Sequence, residues 1–394
     1  MPPIAQAQTM RIPFTAAAHR YVEKIWTKQW QQTAAGGPID LSPPGFAVKS
    51  YGYLRALFLK VSTATVGVAG TYTAGGDAPW NLISQVAVTQ PNGEEMFGGP
   101  TFTGYHCYIA AKHSAWRGAN DPATYPSFSA SVTAPQFFLP LIFETNPEYG
   151  LASLPNQDFS APWKLQVTAA TAGQVYSANP TTFPVLQLDV FLYCWTVPSQ
   201  QNPLNPQVQQ ETAPALLGTL NKWTVQQYTI PSSSTFNVLL QRKGNAMRNL
   251  CFIVRGAGAL RVATTNFPNP LSIRWDGTVI RASDDPVRMV DDFYATAIGQ
   301  ASSTPVVADA GVLTLQMSDV SGIDAQGPAE GYGMNGYWGT VQSSTLEVDG
   351  TWGPNVTIME VLTNDVQFVN LAGNPYAFAY AGYLQAPAQP IARP

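Results

Sequence analysis

Three histidines, three cysteines and a few adjacent acid pairs are the chain's main offer for acid–base, nucleophilic or metal chemistry. His106 and His113 lie seven residues apart on one side of a stretch with helical spacing, and His19 stands alone. Two imidazoles at that spacing need a third metal ligand, and no HExxH, HxH or nearby acidic cluster supplies one. Cys107, Cys194 and Cys251 have no CxxC spacing and read as buried thiols rather than a disulfide framework or a zinc site. The carboxylate pairs are Glu94-Glu95, Asp284-Asp285 and Asp291-Asp292. Glycoside hydrolysis needs two carboxyls across one cleft; here the first pair follows a turn and the others suit a helix start and a solvated face. A serine triad is not excluded by spacing, but there is no GxSxG elbow. "GAGALR" (256–261) follows a strand yet lacks both GxGxxG spacing and a P-loop lysine. "DVSGIDAQGP" (319–328) brings two acids into a loop, as a calcium site would. "GYGMNGYWG" (331–339) has the glycine and aromatic character of a sugar-binding loop, and equally of a loop that touches a neighbour. The expectation is no cofactor, no metal and no enzyme.

The elements that would position these residues are β-strands. The 394 residues are 45% hydrophobic and 11% aromatic, but only 11% charged, with net charge −4. About 25% charged is ordinary. Disorder goes with high charge and few aromatics, so this chain is folded. Its surface is neutral and polar, and such a surface packs against copies of itself without the expense of desolvating ions. Its 20 Lys and Arg are spread thinly, leaving no basic face for nucleic acid. No apolar run reaches the roughly 18 residues that span a bilayer. "MPPIAQAQTMRIPF" has no secretory-signal pattern.

Residues 15–32 predict an amphipathic helix, with Thr15 as cap, Val22, Ile25, Trp26, Gln29 and Trp30 on one side, and Arg20, Lys24 and Lys28 elsewhere. It would pack on its own domain, touch a neighbouring subunit, or lie on a membrane surface, where aromatic and basic residues combine. Alternating strands follow at 53–66, 82–89, 163–170 and 185–197, with a Pro-Asn-Gly turn at 91–93 and a short helix near 102–115. The Pro- and Gln-rich stretch 198–214 reads as a linker. The second half repeats the theme, with strands at 222–230, 235–243 and 249–258, an Asp-Gly hairpin over 271–283 and a capped helix after it. Further strands are expected at 311–320, 344–350, 355–369 and 378–385.

Each half thus has about eight short strands, and Asn81–Pro100 matches Asn269–Pro286 in order of elements. The fold class expected is all-β: two tandem eight-stranded antiparallel jelly rolls with short inserted helices and an N-terminal helix. The expected division is an arm and helix at 1–44, a first roll at 45–198, a linker at 199–214, a second roll at 215–385 and a mobile tail at 386–394.

"APWNLISQVAVTQPNGEEMFGG", "YHCYIAAKHS", "NPLSIRWDGTVIRASDDPVRM" and "STLEVDGTWGPNVTIMEVLTNDVQFV" carry a further likeness. In pattern more than identity, over most of 45–385, the chain resembles the double jelly-roll major capsid proteins of tailless, membrane-containing double-stranded DNA phages, the tectivirus group. The resemblance implies a homotrimer whose six rolls form a pseudo-hexagonal capsomer tiling an icosahedral shell in the virion, made in the host cytoplasm. It implies minor capsid and vertex proteins as partners, and an internal lipid membrane between shell and DNA. Under it the N-terminal helix, with Arg20, Lys24, Trp26, Lys28 and Trp30, sits at the membrane-facing base. A long loop at 322–339, with Asp324, Tyr332, Tyr337 and Trp338, reaches the outer surface. A spike or receptor-binding β-protein, and a carbohydrate-active jelly-roll enzyme, are the alternatives.

Overall fold

The structure is a computed structural model. It describes residues 11–42, 46–72, 77–98, 102–113, 135–147, 149–214, 217–229, 235–240, 246–263, 266–283, 311–316, 338–339, 345–353 and 355–367. In the first half the strands are β1 (Arg11–Ile12), β2 (Arg20–Gln31), β3 (Ile39–Asp40), β4 (Tyr53–Thr65), β5 (Thr71–Tyr72), β6 (Ile83–Thr89), β7 (Glu95–Gly98), β8 (Phe137–Ile142), β9 (Leu154–Pro155), β10 (Lys164–Ala169), β11 (Tyr176–Ala178) and β12 (Val185–Trp195). Then come β13 (Gln201–Asn202), β14 (Asn205–Gln210), β15 (Leu220–Thr229), β16 (Thr235–Leu239), β17 (Ala246–Arg255), β18 (Leu271–Trp275), β19 (Thr278–Ser283), β20 (Val312–Gln316), β21 (Trp338–Gly339), β22 (Leu346–Thr351) and β23 (Ile358–Gln367). The helices are α1 (Phe14–Ala17), α2 (Gly104–His113) and α3 (Ala172–Val175).

Sixteen of these strands form two sandwiches of the same design. In the first, the sheet β2-β12-β4-β8 packs on β3-β10-β6-β7; in the second, β15-β23-β17-β20 packs on β16-β22-β18-β19. Letter the eight strands of each sandwich B to I in chain order. Both then read B-I-D-G in one sheet and C-H-E-F in the other, the order of a jelly roll. The fold is therefore two tandem eight-stranded jelly rolls. Alternation builds them: Leu186, Leu188, Leu192 and Cys194 of β12 face the first core with Leu57, Leu59 and Val61 of β4, all at most 1% exposed. Burying a side chain of this size stabilises by about 1.5–3 kcal/mol. Ile273, Val348 and Val361 do the same in the second core.

The expected N-terminal helix is a strand. Residues 20–31 form β2, strand B of the first roll, paired antiparallel with β12 from Arg20 opposite Trp195 to Gln31 opposite Val185. The stripe Val22, Trp26, Trp30 has a spacing of four, which satisfies a period of two as well as 3.6. The register shift between Val190 and Phe191 moves the phase within β2. Val22 is 50% exposed, while Trp30 is buried and Trp26 packs on the core. Tyr21, Val22, Ile25, Trp26 and Thr27 suit a half-buried pleated surface. What remains helical is the single turn α1. Strands B and C of the first roll thus lie within the expected arm. The stretch expected as a plain linker holds the hairpin β13–β14, on which β1 pairs in parallel. The helix expected after 283, the strand at 378–385 and the tail lie outside the described residues.

The lettering also orients the molecule. Connections BC, DE, FG and HI leave one end of each roll; CD, EF and GH leave the other, where strand B starts and strand I stops. The two rolls stand the same way up, because strand F of the first (β7) runs parallel to strand B of the second (β15), with Phe97 opposite Trp223 and Gly98 opposite Thr224. This seam joins C-H-E-F of the first roll to B-I-D-G of the second in one continuous sheet. Trp223 belongs by sequence to the second roll but packs into the first roll's core and is fully buried. Trp223→Ala should therefore lower stability by about 3–5 kcal/mol. Urea denaturation followed by circular dichroism checks this; an unchanged midpoint would contradict the placement of Trp223 at the joint.

Candidate functional site

The joint between the rolls holds a cluster of buried charge. At the FG end, Asp77, from the DE connection of the first roll, meets two arginines of the second. Its Oδ2 accepts from Arg255 Nη1 at 2.8 Å and its Oδ1 from Arg261 Nε at 2.7 Å. Arg255 Nε donates to Glu360 Oε2 at 2.8 Å, and the same oxygen lies 3.2 Å from His106 Nε2 on α2 of the first roll. The Arg261 guanidinium sits 4.7 Å from the centre of the Tyr105 ring. Two guanidiniums and two carboxylates thus cancel inside a buried cluster that crosses the joint twice.

Local sequence explains the aim of these side chains. Trp80, in a short 3-10 turn ahead of β6, stacks on Tyr108 of α2 at 4.0 Å between ring centres. Gly104 allows that approach, because a Cβ there would fall 2.3 Å from the Trp80 carbonyl oxygen. Thr103 precedes the helix. Its backbone N–H donates to His106 Nδ1 at 2.9 Å, and the His106 N–H reaches back to Thr103 Oγ1 at 3.5 Å. This reciprocal pair is a capping box with histidine in the glutamate's place.

The capping box decides the chemistry of the most enzyme-like constellation in the structure. Thr103 Oγ1, His106 and Glu360 form a hydroxyl–imidazole–carboxylate line, with Oγ1 at 3.1 Å from Nδ1. A backbone N–H can only donate. Nδ1 is therefore the acceptor, and the ring hydrogen sits on Nε2, pointing at Glu360. The nitrogen that would take a proton from the hydroxyl is already occupied, so the line holds α2 onto the second roll rather than activating Thr103. Burial raises the Glu360 carboxyl, but the hydrogen bond from His106 Nε2 and the Arg255 guanidinium more than reverse this and hold it below the ordinary carboxylate range. Arg255 is lowered by burial and raised more strongly by Asp77 and Glu360, so it stays charged.

The opposite end of the joint carries a second clamp. Lys222 of β15, 1% exposed, pairs with Glu94 in the EF turn of the first roll. Asn221 Nδ2 donates to the Ile142 carbonyl of the first roll at 3.2 Å, and Asn221 Oδ1 accepts from Asn364 Nδ2 at 2.6 Å. Above the FG-end cluster an open cleft of about 470 Å³ separates the rolls, lined by Asn81, Ser84, Gln174, Gln227, Leu260 and Ile358 among others. Among the described residues no group of three or more His, Cys, Asp or Glu could hold a metal ion, and no helix is long and apolar enough to cross a membrane.

The residues singled out from sequence lie elsewhere. Arg20, Lys24, Trp26, Lys28 and Trp30 share β2 at the side of the first roll. Arg20 reaches toward the Trp195 ring at 5.6 Å, Lys24 pairs with Asp189 at 3.6 Å, and Trp26 Nε1 donates to the Leu41 carbonyl at 3.1 Å. Lys28 is exposed. Asp324, Tyr332 and Tyr337 lie outside the described residues; the Trp338 backbone pairs with Met247 at the start of β17. Sequence reasoning passed over Asp77, Arg255, Arg261, Lys222 and Glu360, although single charges inside apolar runs such as "FIVRGAG" and "TIMEVLT" are a sign of buried partners.

No protein-family profile matches the chain, and no curated protein sequence does. Solved structures do. The chain is similar to one described as the atomic structure of Sulfolobus Turreted Icosahedral Virus, at 13% identity and TM-score 0.61, over 93% of this chain and 97% of that one. The crystal structure of the STIV MCP gives 13% identity and TM-score 0.58, over 92% and 99%. A quasi-atomic model of the PBCV-1 virus capsid gives 11% identity and TM-score 0.53, over 89% and 94%. At such identities the likeness is one of fold, and it extends over both rolls.

The clamp makes a pH prediction. The Glu360 carboxyl is held below its ordinary 4.5 in the folded protein, so its contribution is present above the ordinary value and is lost as pH falls through the lowered folded value. Wild-type protein should lose stability through this window by this route, and Glu360→Gln should lack that part of the acid dependence. At pH 7 the variant leaves Arg255 short of a partner and should be less stable by about 3–5 kcal/mol. Thermal melts of both proteins from pH 7 to 2 test this; identical curves would show that Glu360 is not a clamp.

Proposed function

We propose that this chain is a structural subunit of a virus shell, a major capsid protein that self-assembles as a homotrimer. The observation that carries the proposal is the pair of complete jelly rolls standing the same way up along a parallel seam. Two similar walls per chain give six from three chains, and a closed ring of such walls is a hexagonal tile. The solved structures of similar fold, which include the PBCV-1 virus capsid, support this reading, as does a surface poor in charge. The role is architectural rather than enzymatic: the His106 line serves the joint.

The orientation we propose places the FG end outward. The connections between β7 and β8 and between β19 and β20 are the longest at that end. The other end gathers β1, the β13–β14 hairpin and the end of β23, and is placed inward, toward an internal membrane. On this reading Trp338, which pairs at the start of β17, belongs to the inward end, while Asp324, Tyr332 and Tyr337 lie outside the described residues. Arg20, Lys24, Trp26, Lys28 and Trp30 run up the flank of the roll. Contact with a neighbouring subunit suits them better than insertion in lipid. Minor capsid and vertex proteins complete the set of partners, and DNA is not one of them.

Native mass spectrometry of the purified protein tests the proposal. Three chains of 42.4 kDa give about 127 kDa, the mass expected; a stable monomer that does not assemble would contradict it.

A further inference from the structure

The clamp at the FG end leaves two of its polar atoms unused. Glu360 accepts from Arg255 and His106 through Oε2 alone, and Arg255 donates through Nε and Nη1. Glu360 Oε1 and Arg255 Nη2 have no hydrogen-bond partner among the described residues, yet neither is sealed from solvent. Both residues line the cleft of about 470 Å³ between the rolls, although their side chains are only 11% and 9% exposed. Pockets for small ligands begin at about 300 Å³. The cleft adds three aliphatic side chains, Ile83, Leu260 and Ile358, and the exposed amide of Gln227.

We infer that this cleft binds a neutral sugar. The clamp beneath it decides the class of ligand. An anion brought to Arg255 meets Glu360 and Asp77, and a cation brought to Glu360 meets Arg255 and Arg261, so the paired charges favour neither. A hydroxyl both donates and accepts. One sugar hydroxyl, or a neighbouring pair, donates to Glu360 Oε1 and accepts from Arg255 Nη2. Hydrogen bonds to ionised partners are the strong ones. Ile83, Leu260 and Ile358 suit the C–H faces of a sugar ring, and Gln227 offers a further donor and acceptor. The chemistry is binding and not hydrolysis. Asp77 has both oxygens held by guanidiniums and Glu360 is held ionised, so neither serves as the acid that cleavage needs. The sugar site stands on the cleft alone. Only its placement on the outer face of a shell, where a host-surface glycan would meet it, rests on the orientation proposed above.

A glycine supplies the plug for a test. Gly173 of α3 lines the cleft, and a Cβ built there meets nothing within 4 Å. Gly173→Trp should fill the cleft and leave the clamp intact. Gly37→Trp, at an equally open and exposed glycine that does not line the cleft, is the control. Gln227→Ala removes an exposed amide from the same cleft and should give a smaller loss. Thermal melts of the full-length proteins show first that the variants fold. Wild-type protein is screened on immobilised neutral glycans ending in glucose, galactose, mannose or N-acetylglucosamine, with sialylated and sulfated glycans as charged probes, and the best probe is then titrated in solution. A neutral probe should bind in preference to the charged ones. Gly173→Trp should weaken it at least about tenfold, and Gly37→Trp should not change it. Wild-type protein that binds no neutral probe, that prefers the charged ones, or that binds no better than folded Gly173→Trp overturns the site. A trimer that binds no sugar leaves the capsid reading standing without the site; a monomer that binds one leaves the site standing without the capsid reading.

Discussion

The constraint on which this structure depends is the bare edge of a β-sheet. A jelly roll closes its core between two sheets but leaves the end strands, B and G of one sheet and C and F of the other, with one side unsatisfied. In this chain the first roll's F strand meets the second roll's B strand, and two sandwiches become one body with a shared sheet. A parallel pairing of so few residues is weak by itself. The burial of Trp223 and the two polar clamps make it rigid: Asp77, Arg255, Arg261, Glu360 and His106 at one end, Glu94 and Lys222 at the other.

The scarcity of charge takes on meaning from this arrangement. Buried ion pairs are poor sources of net stability, but losing one partner is expensive. They therefore fix geometry more than they add stability. A joint set by matched charges at both ends tolerates one relative placement of the rolls. That suits a subunit that repeats its own geometry around a ring. The outer surface, left neutral and polar, can meet other copies without desolvating ions.

Much of the fold was legible because alternation is a local signal. The strands at 53–65 and 185–195, the turn at Asn92-Gly93 and the hairpin turned by Asp276-Gly277 stand in the letters. β2 did not, because a spacing of four fits both periods. β7, the strand that makes the seam, has four residues, one of them Gly98, and no pattern to find. The clamp was half legible. Arg255 and Glu360 announce themselves as charges inside apolar runs, but Glu360 lies 105 residues from Arg255 and 254 from His106. Only the fold brings them together. The capping role of His106 was hidden for another reason: histidine is not the residue that usually fills that position.

The central claim is that three of these chains close a ring of six similar walls. Electron microscopy of the purified protein tests it most directly. Class averages viewed down the axis should show a hexagonal outline with six lobes and three-fold symmetry. Averages of isolated two-lobed particles, or of open head-to-tail chains that never close, would contradict the account.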